Sequence, residues 1–451
     1  MNLTDIFVNN LYNFSKRDFS ETEILHAKKC LLDYLGVTLA GAKAYEVVEN
    51  KLFASYLLDG DSSSIIGTTK KATPPIAALI NGISAHAVEL DDGQRFGNVH
   101  PGAPVISALL AEAECCGSTM NDLWRGILSG YECVLRLACS IQPGHKLKGF
   151  HATGPCGTIG ATIAIAAMLN YSKEQFKAAL SVACTSASGI LEMIEGDTQL
   201  MPYNSGKAAS NAVISTSIAY AGFKYPEDAF GGRRGFLNCF ADVPQLEILT
   251  DFGDKRYCLS NYFKLYAACG HCHASIDASL RLRERHNIVI EEIERIEIET
   301  YKLALQGHDH NVIDGVNSAR MSIPYSAAVA LLHGSADIDD FDERTINEEK
   351  LIELTSKITV KENEKLTNMA PQKRPAVLTI YTKTGTFSDT VYWPKGQPEN
   401  PLSLEDIVSK FNKYALISGM SPNKIKQILD LVFDSTGTIK VKTIMDCLVS
   451  Q

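Results

Sequence analysis

Residues 82–106 read GISAHAVELDDGQRFGNVHPGAPVI, and this stretch decides how the first half of the chain is built. An apolar, helix-like approach over 76–90 meets a short polar elbow, and an apolar exit follows over 103–110. Glu89, Asp91, Asp92, Arg95 and His100 therefore stand at the boundary between two buried helices, where a pocket can form. Two other segments place histidines beside glycine and alanine in the same way: GFHATGPCGTIGATIAIAA around His151, and KLYAACGHCHASIDA around His271 and His273.

Outward from the elbow, residues 5–250 are rich in Ala, Leu, Ile and Ser with three- and four-residue apolar spacing, and strand-like alternation is hard to find. Ser20 with Glu23, and Ser172 with Gln175, are capping boxes ahead of such runs. This half is expected to be a helical bundle. Beyond Tyr266 the pattern changes. Residues 294–303 and 357–360 alternate as half-buried strands do, and 376–392 read as a hairpin around Lys383, Thr384 and Gly385. Helices are expected at 319–333 and 348–354, and again at 404–414, 422–433 and 441–448, where the tail can return to the first domain. The expected fold is mainly α: a large all-helical bundle domain formed by 1–255 and 397–451, with a smaller α+β lid at 256–396.

The chain has 451 residues, 45% of them apolar, and a net charge of -9 with both signs interspersed. That length favours two domains over one, and the charge leaves no basic footprint for nucleic acid or an anionic membrane. The first 20 residues resemble neither a signal nor a transit peptide, so a cytoplasmic protein is expected. Twelve cysteines at irregular spacing, several inside apolar runs, read as core residues in a reducing compartment.

Several look-alike motifs fail on context. Cys269-Gly-His-Cys-His273 has the letters of a haem attachment site, but that chemistry accompanies export. Two cysteines and two histidines within five residues can hardly all reach one tetrahedral zinc ion, and an iron–sulfur cluster would want more spaced thiolates. Gly154, Gly157 and Gly160 recur every three residues without a preceding strand, as close helix packing requires and a dinucleotide fingerprint does not. Gly206-Lys207 lacks the rest of a phosphate loop, and no G-x-S-x-G elbow appears. What is left is a set of acids, imidazoles and cations. Such a set can take a proton next to a carboxylate, protonate a departing hydroxyl and hold substrate carboxylates, provided fixed positive groups stabilise the enediolate. Arg95, His100, Lys207 and Lys264 are candidates for those groups.

The sequence resembles the MmgE/PrpD family, which includes 2-methylcitrate dehydratases, cis-aconitate decarboxylases and iminodisuccinate epimerases. The resemblance covers nearly the whole chain and rests on GISAHAVELDDGQRFGNVHPGAPV, FHATGPCGTIGA, YNSGKAASNAV, DAFGGRRGFL, FKLYAACGHCHASIDA and ARMSIPYSAAVALLHG, six segments in the family's order. It implies an all-helical domain, an α+β lid, a cleft between them that works without metal or organic cofactor, and a homodimer. It further implies Asp92, His100, His151, Lys264, His273 and Tyr325 as catalytic and Asp91 as a pocket group, to which the reading of the residues themselves adds Arg95, Lys207 and Glu89 as substrate-binding. Expected activities are dehydration of a small hydroxy di- or tricarboxylate, then epimerisation, then decarboxylation; a non-catalytic helical binding protein is the remaining alternative. One departure stands out. Many members carry a lysine where this chain has Met201, and Lys207, further along the same run, is the candidate replacement.

Each of these residues also has a plain structural reading. Asp91 and Asp92 can cap a helix, and His151 and His271 can be packed histidines satisfied by backbone. Lys207 can point into water, and Tyr325 can be a core residue with a buried hydroxyl partner.

Overall fold

The computed structural model describes residues 1–44, 60–194, 198–433 and 436–449. Helices dominate it and start where the sequence signals coincide. The Ser20 hydroxyl accepts from the Glu23 N–H at 3.3 Å while the Glu23 carboxylate accepts from the Ser20 N–H at 2.9 Å, which opens the helix Glu21–Ala44. Ser172 and Gln175 cap Lys173–Ser186 by the same exchange. The approach to the elbow is the helix Pro74–His86, with prolines in its first turn, and the exit is Gly102–Cys116.

Glycines set how closely these helices lie. Leu200–Tyr220 runs along Pro74–His86, where a Cβ on Gly82 would fall 2.7 Å from the Gly206 Cα. The three-residue repeat in Thr153–Met168 has the same cause. A Cβ on Gly154, Gly157 or Gly160 would meet the Ser188 carbonyl at 2.3 Å, Pro104 at 2.8 Å or Val134 at 2.6 Å. Any side chain there would push two backbones apart in a close-packed interior.

Two two-residue strands, β1 (Ser63–Ser64) and β2 (Lys71–Ala72), pair antiparallel in the N-terminal half. The lid holds the main sheet: β3 (Ile293–Thr300), β4 (Ile358–Glu362), β5 (Ala376–Thr382) and β6 (Gly385–Val391), in the order β4-β3-β5-β6. β4 lies parallel to β3; the other neighbours are antiparallel. In β3, Ile296 and Ile298 are buried and alternate with the more exposed Glu297 and Glu299, as period two requires. The helices His273–Arg285 and Ile323–His333 cover the sheet. The single helix expected over 319–333 is two, Val316–Met321 and Ile323–His333, because Pro324 cannot continue a helix and Ser322 caps the second.

The tail returns to the bundle. Leu404–Ile417 packs on Glu21–Ala44, and Val441–Cys447 on Gly102–Cys116. Buried Lys410 pins that return by donating to Asp33 at 2.6 Å and to the carbonyls of Leu90 and Lys264 at 2.9 and 2.8 Å. The bundle and the lid have separate apolar cores, yet Val88 and Leu90 of the quoted stretch belong to the lid's. The elbow is thus the seam between them. Among the described residues no helix is long and apolar enough to cross a membrane.

Candidate active site

At the seam lies a cavity of about 100 Å³ whose walls include Glu89, Asn98, His100, Lys146, His151, Met201, Cys269, His271, His308 and Arg374. A water needs about 10–15 Å³ on this measure, so the space suits a molecule of several heavy atoms. A larger cavity of about 760 Å³ adjoins it, sharing Asn98, Gln142 and Arg374. Among the described residues it carries no histidine.

The bundle side is a continuous network. The helix Pro74–His86 ends on His86, whose Nδ1 lies 2.8 Å from Asp91 Oδ2, and the same oxygen lies 3.4 Å from His100 Nδ1. The two imidazole rings meet edge to face at 4.7 Å. His100 Nδ1 also donates to the Asp92 carbonyl at 2.9 Å, which leaves Nε2 as the lone-pair nitrogen. Burial works against a charged Asp91, but the two imidazoles outweigh it and hold the carboxyl well below its usual range; burial likewise opposes a charged His86, and Asp91 overcomes it and raises the imidazole. Glu89 takes a left-handed backbone conformation (φ 54°) that turns it back toward Lys264, whose Nζ donates to both its carboxylate at 2.8 Å and its carbonyl at 2.9 Å. Burial opposes the charge on Glu89, yet Lys264 and the imidazoles keep it ionised.

His151 opens the glycine-rich helix. Asn204 donates to its Nδ1 at 2.9 Å, placing the ring proton on Nε2. Burial, reinforced by the neighbouring His100 and His86 imidazoles, pushes its pKa down to about 3, so the ring stays neutral. The Asn204 oxygen is buried without a partner. A half-turn of that amide would exchange the tautomer, so neutral His151 can present either a proton or a lone pair at Nε2.

The lid side is different in kind. Arg374 is buried, donating to the Arg95 carbonyl at 3.3 Å and to Asn98 at 3.2 Å, and it forms no ion pair among the described residues. Lys146, from the bundle, has no carboxylate partner among them either, and burial lowers its pKa. Cys269 Sγ lies 3.9 Å from His308 Nε2. Burial would raise the thiol, but the His308 imidazole prevails and brings it to about 7.

Of the residues expected from the sequence, the structure brings Glu89, His100 and His151 to the cavity wall. Asp91 and Lys264 stand one hydrogen bond behind them. The others lie elsewhere. Asp92 accepts from the Gly102 N–H, Tyr131 and Asn261, so it caps the exit helix. His273 bonds the Ala268 carbonyl and Tyr325 the Asp340 carbonyl, each inside the lid. Arg95 makes a two-oxygen pair with Glu399 at the larger cavity, and Lys207 donates to the Ser188 carbonyl outside the cavity wall. Met201 does line it. Lys146 and Arg374 are the lysine and arginine that share this lining. Sequence reasoning missed these two, together with His86, Cys269 and His308. The only local signal was a lysine or arginine near a proline or glycine, which looks like a solvated turn.

Comparison with known proteins assigns this arrangement. The MmgE/PrpD N-terminal domain model matches residues 7–249, and the MmgE/PrpD C-terminal domain model matches 266–435. The chain belongs to the MmgE/PrpD family. The cis-aconitate decarboxylase of Mus musculus is 26% identical over 440 residues, covering 92% of this chain and 86% of that protein. That of Homo sapiens is 25% identical, with 92% and 88% covered. The cis-aconitate decarboxylase-like protein oryM of Aspergillus oryzae is 24% identical over 448 residues, with 92% and 90% covered. In this MmgE/PrpD chain the seam cavity draws on both matched domains: His100 and His151 come from the first, Cys269, His308 and Arg374 from the second.

Proposed function

We propose that this MmgE/PrpD protein is a lyase acting on a small hydroxylated di- or tricarboxylate, removing water after proton abstraction next to a carboxylate. The observation that carries the reading is Arg374. A buried guanidinium with no carboxylate partner among the described residues is costly, and it borders a small cavity together with Lys146. An anionic ligand is what these two cations need.

The chemistry follows from the opposite wall. His100 takes the proton at Nε2 while Asp91, shared with His86, stabilises the imidazolium that forms. Arg374 and Lys146 hold substrate carboxylates and draw the growing enediolate charge, a contribution of about 2.7–4 kcal/mol for one such donor in related settings. Neutral His151 donates a hydrogen bond from Nε2 to the developing oxyanion or to the departing hydroxyl. Closing the seam excludes water, which strengthens all of these interactions.

Decarboxylation is the second reading, because the relatives above are named cis-aconitate decarboxylases. There the bond to the departing carboxylate breaks and its electron pair stays on the adjacent carbon, delocalised into an enediolate held by Arg374 and Lys146, and a proton handed over by the His100 imidazole in its protonated form completes the C–H bond as carbon dioxide leaves. Proton NMR of the purified protein in deuterated buffer with citrate, 2-methylcitrate, cis-aconitate, malate, tartrate and iminodisuccinate separates the cases. A new vinylic signal from a hydroxy acid supports dehydration, loss of a carboxylate supports decarboxylation, and deuterium exchange with stereochemical scrambling supports epimerisation. Silence across the panel with the fold intact would overturn the lyase reading.

A further inference from the structure

Cys269, His271 and His308 come from two lid segments, one ahead of the helix His273–Arg285 and one between β3 and the helix Val316–Met321. Their ligand-capable atoms all lie within 4.8 Å of one another. Of the motif's other two candidates, Cys272 Sγ turns toward the Arg320 and Met321 carbonyls and His273 bonds the Ala268 carbonyl. The fold brings in His308 instead.

The outer partners of the trio are in place. His308 Nδ1 donates to the Met321 carbonyl at 2.9 Å, which fixes the proton there and leaves Nε2 as a lone pair facing Cys269. His271 Nδ1 is held 2.5 Å from the Tyr301 hydroxyl, which frees its Nε2. The two rings stack at 5.0 Å, and the Cys269 N–H is anchored on the Arg320 carbonyl. Imidazoles whose second nitrogen is pinned by a carbonyl or hydroxyl are oriented as metal ligands are. The Sγ to Nε2 separation of 3.9 Å is long for a hydrogen bond and close to the edge of a tetrahedron around zinc, whose bonds are about 2.0–2.3 Å.

We infer that Cys269, His271 and His308 form a site for one soft divalent cation of the zinc class, with its fourth position open to the seam cavity. One thiolate and two imidazoles select such an ion over magnesium or calcium. The three ligands line the same cavity as His100 and Arg374, so the bound cation and an anionic substrate share one space. The neighbouring Arg374 charge weakens cation binding. This site does not depend on the lyase reading, and its test reads metal, not turnover.

The experiment is anaerobic titration of the chelator-stripped, full-length protein with Co²⁺, followed by absorption. Expected is a thiolate-to-cobalt charge-transfer band saturating at one equivalent, with tetrahedral d–d bands, displaced by Zn²⁺. Cys269→Ser should remove the band, and His308→Gln should weaken binding at least tenfold, while circular dichroism and Tm stay those of the parent. The second histidine and acid cluster, His86 with Asp91 and His100, carries no sulfur and cannot give this band. No charge-transfer band in the parent, or a band that survives Cys269→Ser, would overturn the site; should Cys269→Ser fail to fold, the His308→Gln titration decides.

Discussion

The two walls of the seam cavity solve opposite electrostatic problems. On the bundle side, Asp91 is flanked by two imidazoles and Glu89 by Lys264, so each of these two carboxylates has its partner within 3.5 Å, and only Lys146 joins the cationic excess of the other wall. On the lid side no carboxylate among the described residues lines the cavity, and Arg374 is buried against the Arg95 carbonyl, the Asn98 amide oxygen and the Tyr262 side chain. A wall that balances itself keeps its geometry whether or not substrate is bound, which suits proton transfer. A wall left with excess positive charge is completed by what binds, which suits recognition of an anion.

The sharpest way to break this contrast is on the bundle side. Replacing His100 with Ala should lower kcat by about 10²–10⁴ with KM changed little, the range typical of a lost general base; steady-state kinetics on the substrate found by NMR checks it. Lys264→Met should instead unfold the wall. It strands the Glu89 carboxylate, and a broken buried pair costs about 3–5 kcal/mol, readable as a lower denaturant midpoint. Arg374→Met tests the other wall. Losing a charged donor to the substrate and to its enediolate should cost about 2.7–4 kcal/mol in kcat/KM, with kcat lowered and KM raised, while denaturant stability holds or rises because an unpaired buried charge is gone. A drop in stability as large as that of Lys264→Met would erase the contrast between the walls.

The smallest effect concerns Asp92, behind the cavity. Burial, with the nearby negative charge of Asp33 and Asp91, raises its pKa to about 8. A raised folded-state value means that the native protein keeps a proton the unfolded chain has released. Its stabilising share is therefore complete below about pH 4 and is lost as the pH rises through about 8. Asp92→Asn should flatten that part of the stability profile between pH 4 and 8, with turnover nearly unchanged; a tenfold loss of turnover would return Asp92 to the site.

Much of this was legible in the chain, and the limits have physical causes. The capping boxes at Ser20 and Ser172, the alternation of β3 and the glycine repeat at 154–160 were readable because caps, pleats and close crossings depend on neighbours a few residues away. Glu89, His100 and His151 were readable too, since each sits where an apolar run ends. Asp92 shows the opposite limit. Its position in the elbow was right, but the partners that claim its oxygens, Tyr131 and Asn261, come from distant segments. Arg374 and Lys146 sit in stretches, PQKRPAV and GHKLKGF, that read as solvated turns.

By itself, then, the sequence determined a helical bundle joined to an α+β lid, a polar elbow between them and the family, because periodicity, caps and motif order are local properties. Only the tertiary structure decided which acids face the cavity and which cap helices, that Lys146 and Arg374 border it beside Met201, and that His308 joins Cys269 and His271. Those outcomes depend on charges and lone pairs brought together from segments up to hundreds of residues apart, and no window along the chain contains that distance.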